Sequence, residues 1–131
     1  MLISRTGDRA ATRHALAAPA EAFMACLCAA WCRTCDEFRP AIEDWARQRA
    51  DVSVVWLDVE DDAELVGDLD VENFPTLLIQ RGDAVQFFGP IPPRVSHAER
   101  LLAASGAEGG MQADETLPDL HARLLAAYAP D

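Results

Sequence analysis

The sequence predicts an α/β fold, a central mixed β-sheet flanked by helices. Three observations carry that prediction. Phe23 to Cys28 and Val52 to Val59 are apolar almost without interruption, the pattern of strands buried on both faces. Between them, Asp36 to Arg49 repeats its apolar residues at helical spacing. Thr76 to Gln80 and Ala84 to Phe88 are β-rich and joined by Arg81-Gly82-Asp83, a hairpin-type turn that adds an antiparallel pair.

Taken in order, Met1 to Ser4 reads as a short edge strand. Asp8 can cap a helix over about 9–18, rich in Ala, Arg and Leu and stopped by Pro19. After the first buried strand, Phe38, Ala41, Ile42, Trp45 and Ala46 form one apolar helix face. Pro40 inside that pattern is expected to kink the helix and free a carbonyl. Glu60-Asp61-Asp62 opens a short helix over about 62–68, with acids at its positive end. Pro90, Pro92 and Pro93 end the hairpin, and Ser96-His97-Ala98-Glu99 is a capping box for a helix to about Ser105 with Gly106 beyond it. Glu108-Gly109-Gly110 reads as a loop. From Thr116, Leu117, Leu120, Leu124, Leu125 and Tyr128 form an amphipathic stripe on a last helix over 116–129. That helix is expected to pack on the same domain; the alternative is a docking helix for a partner protein or a second copy. The expected division is one domain over 1–106, with 107–131 as a loop and an extra helix laid on it.

The chain has 131 residues, half of them hydrophobic, enough for a single core without metal or disulfide staples. Its 22 acids against 11 bases give a net charge of −11, which repels phosphate backbones and argues against nucleic-acid binding. No run reaches the roughly 20 apolar residues of a membrane span. Arg5, Asp8, Arg9, Arg13 and His14 break up any signal-peptide core, so a cytoplasmic location is expected.

The chemistry concentrates in Trp31-Cys32-Arg33-Thr34-Cys35, between the first buried strand and the helix that follows it. A thiol at a helix N-terminus meets unpaired N–H groups and the positive end of the macrodipole, which favour the thiolate, the nucleophile of disulfide exchange. The second thiol lies one turn away, within reach to close or resolve a disulfide. Cys26 and Cys28, two apart on a strand, share a face and are expected to be small buried hydrophobes. A four-thiol metal site with Cys32 and Cys35 is the weaker alternative, because the strand aims its thiols at the sheet face while the CxxC lies beyond its end; no metal is expected. His14, His97 and His121 fall on helices remote in sequence from the CxxC, so nothing supports a Cys–His protease.

CxxC after an apolar strand, Trp31 before the first Cys, Pro40 five residues after the second, and Phe74-Pro75-Thr76 some forty residues on resemble the thioredoxin family over roughly residues 20–104. The resemblance implies a thioredoxin-like three-layer sandwich with an extra C-terminal helix. It makes Cys32 the nucleophile and Cys35 the resolving thiol, with Pro75 cis and facing the disulfide. It also implies a groove of Trp31, Arg33, Thr34, Phe74, Pro75 and Gly89 in which an extended peptide pairs with backbone. The expected activity is thiol–disulfide exchange on protein disulfides, with no bound cofactor and with electrons from a dithiol reductase. The rival expectation is a thioredoxin-like assembly factor or chaperone-type module with little redox turnover. Two departures bear on this choice. The family usually carries Gly-Pro between the cysteines, where this chain has Arg33-Thr34. It also commonly buries an acid and a lysine where this chain has Cys26 and Trp56, and losing both together avoids an unpaired buried charge.

Overall fold

The computed structural model describes residues 2–3, 9–106 and 116–128. In chain order these form β1 (Leu2–Ile3), α1 (Arg9–Ala17), β2 (Ala22–Cys28), α2 (Arg33–Arg47), β3 (Val52–Asp58), α3 (Ala63–Val66), β4 (Thr76–Arg81), β5 (Ala84–Pro90), α4 (Val95–Gly106) and α5 (Leu120–Ala127). The expected cap at Asp8 and the loop at 108–110 lie outside the described residues.

The strands form one sheet in the order β1-β3-β2-β4-β5. β3 is parallel to both β1 and β2, whereas β4 runs antiparallel to β2 and to β5. All seven residues of β2 are buried, as expected of the central strand of a three-layer fold. Its alternate side chains feed two cores. Phe23, Ala25 and Leu27 face Leu16 of α1, Leu65 and Val66 of α3, and Leu120 and Leu124 of α5. Ala22, Met24 and Cys26 face Phe38, Ile42 and Ala46 of α2 and Ala98 and Leu102 of α4. The β4–β5 hairpin turns through Gly82 at φ 62°, a left-handed conformation that glycine adopts without a Cβ penalty.

The helix predicted over 62–68 is a single turn, Ala63–Val66. The last helix starts at Leu120 rather than Thr116, because Asp119 is its N-cap and accepts from the Ala122 N–H at 2.9 Å. α5 is an integral part of the core, so its apolar stripe packs on this chain and the docking-helix alternative for residues 116–129 loses that face. Leu120 and Leu124 are wholly buried and Tyr128 nearly so, and Leu117 and Leu125 pack against the same cluster. The His121 ring stacks on Phe23 with centroids 4.7 Å apart, and its Nε2 lies 2.7 Å from the Leu16 carbonyl oxygen. Arg123 grips both carboxylate oxygens of Asp68 at 2.7 and 2.9 Å, and Gln80 Nε2 donates to Asp119 Oδ1. The stripe that could have offered itself to a partner is covered by this chain's own sheet.

Candidate functional site

β2, α2 and the start of β4 meet at one end of the sheet. β2 ends at Cys28, and the Cys32 N–H closes the connection on the Ala29 carbonyl at 3.0 Å. Cys32 is the N-cap of α2, with extended backbone (φ −87°, ψ 115°), and its carbonyl accepts the first helical bond from the Asp36 N–H at 3.2 Å. The helix then runs from Arg33 to Arg47 with Pro40 inside it. Its inward stripe is Cys35, Phe38, Ile42 and Ala46, so Cys35 belongs to the core-facing side while Cys32, one turn earlier, sits half-buried at the rim.

The disulfide in the structure joins Cys28 to Cys35, with Cα atoms 6.0 Å apart, and leaves Cys26 and Cys32 as free thiols. The expectation had Cys35 within reach of Cys32 and Cys28 as a small buried hydrophobe; here Cys28, 1% exposed, is the bonded partner of Cys35. The physical reason is helix packing. α2 lies across the sheet face that carries Met24, Cys26 and, by the same alternation, Cys28. Its inward first turn therefore sets Cys35 over the last residue of β2 instead of beyond the strand end. Cys26 is 1% exposed, and burial pushes its thiol up to about 12. Its cross-strand neighbour is Trp56, whose ring lies 6.4 Å from Phe38 and beneath the Arg39 guanidinium at 5.2 Å. Among the described residues no group of three or more His, Cys, Asp or Glu is arranged to hold a metal.

Pro75 precedes β4, which pairs Thr76 with Leu27, so the proline sits at the Cys28 end of the sheet. The Phe74–Pro75 peptide is cis, and the Pro75 carbonyl accepts from the Ile91 N–H at 3.1 Å. Trp31 is the exposed large hydrophobic residue of the described chain, at 66%. It stands edge-on to Phe74 with ring centroids 5.5 Å apart and donates its indole N–H to Glu60 Oε1 at 2.9 Å. Glu60 was missed from sequence, being 29 residues from Trp31 with no motif linking them. Arg33 is exposed and Thr34 half-buried on the first turn of α2. The structure thus brings Trp31, Cys32 and Phe74 together on one rim. Gly89 stands apart from them on β5, opposite Leu77 and separated from β2 by β4.

The model of the family described as Thioredoxin matches residues 8–92. The chain belongs to the thioredoxin family. Thioredoxin-2 of Saccharomyces cerevisiae is 29% identical over 72 residues, covering 53% of this chain and 69% of that one. Two solved thioredoxins share the fold. The long form of spinach chloroplast thioredoxin F superposes with a TM-score of 0.61 at 20% identity, over 71% of this chain and 77% of its own. Mitochondrial thioredoxin 3 of Saccharomyces cerevisiae, in its oxidized form, gives 0.58 at 17%, over 72% and 87%. Thioredoxin-family membership and a cysteine pair at disulfide distance make the protein a thiol–disulfide oxidoreductase. None of the described helices is long and apolar enough to cross a membrane.

Proposed function

We propose that the protein acts on protein disulfides, with Cys32 as the attacking thiol and Cys35 as the resolving one. The observation that carries this is the position of Cys32. It is a half-buried free thiol at the N-cap of α2, next in the chain to an exposed tryptophan whose ring meets Phe74 of the cis Phe74–Pro75 peptide. N–H groups of the first helical turn point toward charge on such a cap. The residue before a proline is held extended, so Phe74 suits an incoming extended peptide, with Trp31, Arg33 and Thr34 along one side and Gly89 farther out. Cys32 attacks the substrate disulfide and forms a mixed disulfide, releasing one substrate thiolate. Cys35 then attacks Cys32 Sγ and releases the other.

The cycle needs no bound cofactor. Its two electrons come from a dithiol protein, and a reductase of that class is the expected donor. In a reducing cytoplasm the thiols rest reduced. The test is reduction of insulin disulfides driven by dithiothreitol. Wild type should accelerate it, and Cys32→Ser, which keeps a good capping residue, should not. Equal activity in the two proteins would remove Cys32 from the chemistry. Wild type that binds unfolded protein without reducing it would favour the chaperone-type module.

A further inference from the structure

Cys35 has two thiols in position. Cys32 precedes it by one helical turn on the same side of α2, and Cys28 faces it across the layer and is bonded to it. Both atoms of the observed bond belong to side chains only 1% exposed, while Cys32 is half-buried at the rim. Cys35 thus has one cysteine a helical turn before it at the rim and another bonded to it in the core. We propose that Cys28 is a third redox thiol, so that the disulfide made at the surface between Cys32 and Cys35 is passed inward to Cys28 and Cys35, returning Cys32 as a free thiol.

The step rests on the proposed exchange chemistry and balances as follows. The substrate disulfide, a protein disulfide, takes two electrons and leaves as two thiols, and the bond Cys32–Cys35 forms. The Cys28 thiolate attacks Cys35 Sγ, the S–S bond to Cys32 breaks, and Cys32 departs as a thiolate. Cys28 is oxidised, Cys32 is reduced and Cys35 is unchanged in oxidation state. One proton is lost at Cys28 and one is gained at Cys32. Return runs the same path backwards, because a donor in solution cannot touch the buried bond. Cys32 attacks Cys35 Sγ, expels Cys28 and brings the disulfide back to the rim, where the donor reduces it. Cys32 is therefore the handle by which the buried bond is opened as well as the group that attacks substrate.

The test uses the full chain oxidised by insulin, quenched in acid, alkylated and digested without reduction. Chymotrypsin cuts after Trp31 and trypsin after Arg33, so the peptides bearing Cys28, Cys32 and Cys35 separate. The expected map is a Cys28–Cys35 crosslink with Cys32 alkylated. In Cys28→Ala, alkylation of Cys32 in the oxidised protein should be lost, because the bond then stays at Cys32–Cys35. Native Cys32→Ser should still form Cys28–Cys35 under an added oxidant, yet be reduced by dithiothreitol about tenfold or more slowly than wild type, its bond being inaccessible. Wild type that reduces insulin but yields only Cys32–Cys35 overturns the proposal and leaves the exchange chemistry standing. So does equal reduction of oxidised wild type and Cys32→Ser. Wild type that cannot reduce insulin overturns both, a distinct result. The map on wild type decides the matter even if Cys28→Ala folds poorly.

Discussion

Cys26 gives a prediction whose size follows from burial alone. Its thiol is 1% exposed, and desolvation raises it from an ordinary 9.0 to about 12 in the folded chain. A group whose folded value is raised contributes stability that is complete below the unfolded value and is lost as pH climbs toward the folded one. The unfolded chain ionises Cys26 above pH 9 while the folded chain holds its proton. Stability should therefore fall by roughly 1.4 kcal/mol between neutral pH and pH 10, and by about 4 kcal/mol near pH 12. Other groups titrate there too, so the informative quantity is the difference between wild type and Cys26→Ala, each oxidised beforehand so that Cys28 and Cys35 do not titrate. Urea unfolding at pH 7.5 and pH 10 measures it. The wild-type midpoint should drop by about 0.5–1 M more than that of the variant, for an m-value near 2 kcal/mol/M. Equal drops in the two proteins would show that Cys26 is hydrated or partnered in the folded state, and that its site is not dry.

Three further outcomes test other parts of the molecule. Leu124→Ala, at a wholly buried position of α5, should lower unfolding stability by about 2–5 kcal/mol. A loss under 1 kcal/mol in urea titrations would mean that the helix does not complete the core. The Arg49 guanidinium hydrogen-bonds Asp51 at 2.9 and 2.8 Å and holds its carboxyl at about 2, below the usual 3.8. Its stabilisation is present above pH 3.8 and disappears as pH falls through 2. With both side chains partly solvated, Asp51→Asn should remove no more than about 1 kcal/mol at pH 6 and only a small fraction of that at pH 2 by thermal unfolding. Trp31→Ala removes the aromatic edge beside Cys32 and should raise the KM for a protein disulfide roughly fivefold, as expected from losing ~1 kcal/mol of contact, with kcat little changed. A kcat effect without a KM effect would place Trp31 in the chemistry instead.

Periodicity made most of the fold legible. The apolar runs at 23–28 and 52–59 emerge as central strands, and the 3.6-residue pattern from Phe38 to Ala46 emerges as α2. Alternation also places Cys26 and Cys28 on one face: Met24 and Cys26 pack against α2, and Cys28 is bonded to Cys35 on the buried side of that helix. What it could not supply was the height of α2 over that face, which sets Cys35 on Cys28; interlayer packing is a tertiary quantity with no local signature. The Trp31–Glu60 bond was invisible for the same reason. At the C-terminus the leucine stripe was plain, but its owner was not. Leu120 and Leu124 look alike whether they await a partner or fill this chain's own core, and only the packing of His121 on Phe23 and of Arg123 on Asp68 decides.

The most direct measurement of the central assignment is capture of a substrate on the attacking sulfur. Cys35→Ser, reacted with insulin and quenched in acid, should carry an insulin chain linked to Cys32 in a bond that dithiothreitol releases, and Cys32→Ser should carry none. An adduct on Cys26 or Cys28, or an adduct formed equally by Cys32→Ser, would contradict the assignment of Cys32 as the thiol that opens substrate disulfides.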